Sequence, residues 1–124
     1  MKNLKIGDAY EGGLVASLGD NGKGFIVALS DSTRMAWENA NSFGHEMNGY
    51  NDWRLPSKDE LNILYLNKNK FGGFSQSDYW SGTMNNEKED SAWAQSFEEG
   101  DGYQYTTNKF NGLSVRFVRD FTAI

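Results

Sequence analysis

The chain has 124 residues, with 12 Lys plus Arg against 17 Asp plus Glu for a formal net charge of -5, and it contains no Cys. That length suits one domain with a core that needs no crosslinks, and the missing thiols exclude disulfides, thiolate zinc sites and cysteine nucleophiles. An acidic balance with no basic stripe argues against a general binder of nucleic acid or anionic membrane, because such binders cluster cations to displace counterions.

The opening Met1-Lys2-Asn3-Leu4-Lys5 has charges with no apolar run behind them, so neither a signal peptide nor a membrane anchor is expected. Two apolar-rich segments, Ala9 to Leu18 and Gly24 to Leu29, flank Gly19-Asp20-Asn21-Gly22-Lys23, whose Asn-Gly step suits a tight turn; together they predict a β-hairpin. Ser30, Asp31 and Ser32 are candidate N-cap residues for a helix that carries Ala36, Trp37, Ala40, Phe43 and Met47 on one face and stops before Gly49. Its other face, with Glu38, Asn39, Asn41 and Glu46, has the polarity that solvent requires. In Gly49-Tyr50-Asn51-Asp52-Trp53-Arg54-Leu55-Pro56-Ser57 the last residue forms a capping box with Glu60, which starts a second helix with Leu61, Leu64 and Tyr65 inward. That helix fades near Asn67, and Gly72-Gly73 breaks the chain. Short strands come next at Tyr79 to Thr83, Ala92 to Glu98, Tyr103 to Thr107 and Leu113 to Val118, joined by polar turns. The order predicts an α+β domain over residues 1–124, its helices segregated from a twisted antiparallel sheet.

Few of these residues point to catalysis. His45 is the sole imidazole and no HExxH motif accompanies it, so a structural or solvent role is expected. No nucleophile elbow, P-loop or GxGxxG cradle is present. Glu87, Glu89, Asp90, Glu98, Glu99 and Asp101 supply carboxylates for a glycosidase pair, but hydrated turns explain them more simply. The chain is therefore read as noncatalytic and without a resident cofactor. Bound calcium is the one option these oxygen-rich loops leave open, with no EF-hand loop to support it. Trp53, Trp80 and Trp93 are expected in the core. Arg54 is expected to use its planar fork on a carboxylate or strand-end carbonyls, tying the start of the second helix to the sheet.

One stretch mixes aromatics with planar amides: Gln95, Tyr103, Gln104, Tyr105, Asn108, Lys109, Phe110 and Asn111, with Asn85 and Asn86 on a neighbouring loop. Tyr offers rigid contact area while Asn and Gln adapt their donors and acceptors, as antibody paratopes do, and sugars suit the same mixture. The competing reading makes Tyr103 and Tyr105 cross-strand partners in a half-exposed sheet.

The run Gly49 to Ser57 with Glu60-Leu61, then Tyr79-Trp80-Ser81, Ala92-Trp93, Phe97 and Val115-Arg116-Phe117-Val118-Arg119, resembles the C-terminal domain family of collagen-like bacterial adhesins. Ile6-Gly7-Asp8-Ala9-Tyr10-Glu11-Gly12-Gly13 is similar to that family's first strand. The resemblance implies a C-type-lectin-like fold, with the N- and C-terminal strands paired and a loop-rich half presenting a ligand surface. Its relatives include bacterial adhesins, phage receptor-binding proteins and the variable proteins of diversity-generating retroelements, whose variable side chains match positions 85–111 by location. The chain lacks the Glu-Pro-Asn and Trp-Asn-Asp signatures of calcium-dependent sugar lectins. The resemblance further implies a ligand-binding module on a phage virion, as on its tail, or on a bacterial cell surface. Its partner would be a host-cell glycan or surface protein, with no nucleic acid and no membrane insertion; the alternative is a trimerising fibre cap with no ligand of its own.

Overall fold

A computed structural model describes residues 4–19, 21–42, 46–47 and 49–122. Among the described residues, seven strands form two antiparallel sheets and three short helices pack beside them, giving an α+β domain. The first sheet has the order β1-β2-β3-β7, with β1 at Ala9–Tyr10, β2 at Gly13–Leu18, β3 at Lys23–Ala28 and β7 at Val118–Thr122. The second has the order β4-β5-β6, with β4 at Asp78–Met84, β5 at Ser91–Ser96 and β6 at Gln104–Asn108.

The first hairpin forms between β2 and β3 as its turn chemistry predicts, but its first arm is broken. Glu11 and Gly12 take positive φ of 50° and 88° between the paired residues Tyr10 and Gly13. Two consecutive left-handed residues close a tight two-residue turn, and β1 folds back onto β2 as a separate edge strand. The C-terminal strand pairs with β3, with Phe25 opposite Asp120 and Val27 opposite Val118. The expected pairing of the first and last strands is thus corrected: β2 and β3 separate β1 from β7.

Strand β3 is buried on both faces, and its alternation sorts side chains into two cores. Ile26 and Ala28 join Val15, Trp53, Leu55, Trp80, Ala94, Leu113, Val115 and Phe117 in one cluster. Phe25 and Val27 join Leu61, Leu64, Tyr79 and Phe97 in the other. Helix α1 (Trp37–Ser42) gives Trp37 and Ala40 to the first core, while α2 (Lys58–Leu66) gives Leu61 and Leu64 to the second. α3 (Lys68–Phe71) adds Phe71 to the second core before the Gly72-Gly73 break.

Three boundaries move. The first helix begins at Trp37 and does not reach Met47, which instead forms an isolated bridge with Tyr50. Asp31 therefore caps nothing; its carboxylate accepts from the Tyr79 hydroxyl. Residues 113–117 lie in the core as bridges and extended chain, with Leu113 opposite Met35 and Ser114 beside Tyr79, and the last strand starts only at Val118. Phe43 and His45 lie outside the described residues.

Candidate functional site

The frame of the site starts at the segment before α2. Ser57 Oγ accepts from the Glu60 N–H at 3.1 Å and Glu60 Oε1 accepts from the Ser57 N–H at 2.9 Å, completing the capping box. Trp53 is buried, with its indole N–H donating to the Met47 carbonyl at 2.8 Å. Arg54 places Nη1 on Glu60 Oε1 at 2.7 Å and Nη2 on Asp120 Oδ1 at 2.8 Å, so one fork joins α2 to β7. Those two carboxylates hold the guanidinium pKa above its ordinary value against the opposing effect of burial. Asp52 reaches Arg119, whose Nε donates at 2.7 Å and whose Nη1 bonds Glu11 at 2.9 Å. Each of these charged groups meets a countercharge within the chain, and for Arg54 the partners are carboxylates, one of the two kinds expected of it.

The second sheet and its adjoining loops hold the residues predicted to bind. Their register divides them between two faces, because successive side chains of β6 point in opposite directions. Tyr105 opposite Ala94 faces the first core, and Tyr103 extends the same row beyond the strand end. The two rings stack with centroids 6.0 Å apart and planes 9° from parallel. Tyr103 lies just before β6 and Tyr105 within it, so the two are near neighbours along the chain and not cross-strand partners. The Tyr105 hydroxyl donates to Asp78 on β4, two strands away, and burial followed by that carboxylate raises its pKa above the ordinary tyrosine value. Tyr103 stays 65% exposed, an open ring standing on an anchored one.

Gln95 departs from the exposed position expected of it. It is fully buried, with Nε2 donating to Asn62 Oδ1 at 2.9 Å and to the Gly102 carbonyl at 3.1 Å. Its Oε1 accepts from Gln104 Nε2 at 3.1 Å, and the same nitrogen reaches the Lys58 carbonyl at 2.8 Å. These amides fasten α2 to β5 and β6 and hold the turn that presents Tyr103. Gly102 at that turn has φ +70°, and a Cβ there would lie 2.5 Å from the Tyr65 ring. Only glycine meets both conditions.

At the other end of β6, two predicted loops adjoin. Ser91 pairs with Asn108, and the Lys109 N–H donates to the Asp90 carbonyl at 2.8 Å. Asn85 Oδ1 and Asn108 Oδ1 each accept a backbone N–H two residues on, from Glu87 and Phe110. Such side-chain turns hold the loop backbone in shape. Asn86 and Asn111 are exposed, and Phe110 is 85% exposed. Lys109 is the second departure: it is buried, its ammonium 4.4 Å from the centroid of the Trp37 ring, where the indole face stabilises the charge. Trp80 lies fully in the core as expected. Trp93 is only half-buried, on the sheet face opposite that core, with the Lys58 ammonium 3.6 Å from its ring centroid.

Asp78, Met84 and Thr106 also belong to these surroundings, and nothing in the sequence marks them. Asp78 sits among core-forming neighbours, Met84 reads as an apolar strand residue, and Thr106 is half-buried opposite Trp93. Among the described residues no cluster of three or more His, Cys, Asp or Glu is placed to hold a metal ion, and no helix is long and apolar enough to cross a membrane.

The sequence pattern of the Lcl C-terminal domain family matches residues 16–119. No curated protein matches the chain.

Proposed function

The chain belongs to the Lcl C-terminal domain family, and on that premise we propose that it is a noncatalytic ligand-binding module whose β6 and adjoining loops recognise a cell-surface glycan or protein. We place it among adhesin and phage receptor-binding domains of C-type-lectin-like fold, displayed on a bacterial surface or a virion. The stacked Tyr103 and Tyr105 pair carries this reading. An exposed ring backed by an anchored ring is a flat apolar platform with little rotamer freedom left to lose, which lowers the cost of binding. Sugar rings offer apolar faces to such a platform, and the neighbouring amides of Asn108 and Asn111 suit hydroxyl groups. Gln95 and Lys109 are left out of the contact surface because their side chains are buried; Gln95 supports it from beneath.

The test is a glycan array and binding to intact bacterial cells, with the wild type beside Tyr103→Ala and Phe110→Ser, each checked by circular dichroism. A signal that Tyr103→Ala abolishes supports the platform. Binding undiminished in both folded variants overturns it. Exposed Phe110 also favours a second reading, a fibre cap that buries this ring between copies. Silence on glycans and cells together with a trimer by light scattering, dissociated by Phe110→Ser, transfers the function to that reading.

A further inference from the structure

Two Asn-Gly steps lie wholly among the described residues, Asn21-Gly22 and Asn111-Gly112. They differ in the atoms that matter for attack of a backbone nitrogen on the preceding side-chain amide. That attack needs the glycine N–H free of a hydrogen bond and the amide carbon open to approach, and glycine favours it because no Cβ crowds the nitrogen.

Asn21 is locked on both counts. The Gly22 N–H donates to the Gly19 carbonyl at 3.1 Å, and Asn21 Oδ1 accepts from the Lys23 N–H at 3.0 Å. At the second step no described residue accepts from the Gly112 N–H. A Cβ built on Gly112 would meet nothing within 4 Å, and both residues are exposed. Among the described residues the Asn111 amide is held only through its leaving nitrogen, Nδ2, which donates to Thr107 Oγ1 at 2.7 Å. Meanwhile Arg34 Nη2 fixes the Gly112 carbonyl at 2.6 Å, so the turn keeps its place while the reacting nitrogen stays free.

We infer that Asn111 is a site of spontaneous deamidation, at which the protein converts a neutral amide beside Phe110 into a carboxylate. The Gly112 nitrogen loses its proton to base and bonds to Asn111 Cγ. The Cγ–Nδ2 bond then breaks and ammonia leaves, having taken up a proton from the medium, to give a cyclic imide. Water adds to one of the two imide carbonyls and opens the ring to an aspartate or isoaspartate. Net, one water is consumed and one ammonia released, with no oxidant or reductant. Each event adds a negative charge to a turn that Lys109 joins to the Asp90 backbone. The isoaspartate form also lengthens the backbone by one carbon next to Phe110.

The full chain is aged in mildly alkaline buffer, digested, and tracked by mass spectrometry and isoaspartyl methyltransferase labelling. The Asn111 peptide is expected to gain one mass unit severalfold faster than the Asn21 peptide, with a rate that rises with pH. Asn111→Gln should remove the signal and Gly112→Ala should slow it severalfold. In denaturant the two native Asn-Gly rates should converge, since the protection of Asn21 is structural. An Asn111 rate equal to or below that of Asn21, or a difference that persists in denaturant, overturns the inference.

Discussion

Two polar regions of this domain use different residues to opposite ends. Around the start of α2, Arg54 and Arg119 each close on two carboxylates at 2.7–2.9 Å, and the Arg54–Asp120 and Arg119–Asp52 pairs tie the segment before α2 to β7. Along β6 the polar side chains are neutral amides and hydroxyls, from Gln104 to Asn108. They satisfy the backbone locally and leave Tyr103 and Phe110 facing solvent. Charge that meets countercharge inside the fold serves rigidity. Neutral groups held in shape without being consumed leave a surface free for a partner. The two regions meet in the Gln95, Asn62 and Gln104 amides, which pass the rigidity of α2 to the exposed face.

The contrast is sharpened by substitutions on each side. Trp53→Ala removes the plug beneath the charged segment and is expected to cost about 3–5 kcal/mol, read as the loss in chemical denaturation. Gln95→Leu keeps volume but strands the partner amides of Asn62 and Gln104, which should cost about 1–3 kcal/mol. Its second signature is weakened ligand binding although no contact residue has changed. Arg54→Met breaks both arms of the fork. With the side chain 35% exposed, solvent screening limits the loss to about 1–2 kcal/mol by the same measurement. Tyr103→Ala and Phe110→Ser should each leave stability within about 0.5 kcal/mol, as expected for exposed side chains outside the core. A large loss at either would place the face in the scaffold and erase the distinction.

Titration gives a finer test. Hydrogen bonding from Arg119 holds the Asp52 carboxyl below its usual range. Burial pushes Glu60 up, but bonds from Arg54 and Ser57 outweigh it and leave that group lowered as well. A lowered folded value means stability that is present above the unfolded carboxylate pKa, about 4, and lost as pH falls through the folded values. Asp31 has the opposite sign: burial raises it, despite the Tyr79 hydroxyl and Arg116. Its contribution is complete below about pH 4 and lost as pH rises through its raised folded value. Asp31→Asn should therefore make Tm climb more steeply with rising pH above about pH 4 than in the wild type. An unchanged slope would refute that assignment.

Much of the scaffold is legible in the sequence because its signals are local. Ser57 with Glu60 announces a helix start by spacing alone, and Asn21-Gly22 announces a hairpin. Arg54 beside Trp53 reads as a tie between elements because a guanidinium near a buried segment needs carboxylates. The first helix falls short of its predicted length because the apolar spacing runs on to Met47, while the bridge of Met47 to Tyr50 wins that residue for an extended conformation. The last strand starts later than predicted because residues 113–117 are buried on all sides, and continuous burial resembles a strand whether or not a ladder forms.

Composition by itself determined that this chain folds without disulfides or thiolate metal sites, and local pattern determined where α2 and the first hairpin begin. The tertiary structure alone decided which amides are outside. Gln95 and Gln104 are chemically alike and lie on paired strands, yet one is fully buried under α2 and the other half-covered. Lys109 sits between exposed Asn108 and exposed Phe110, yet its ammonium is turned onto Trp37. Whether a polar side chain meets solvent depends on what the rest of the chain packs against it, and short-range spacing carries no record of such distant neighbours.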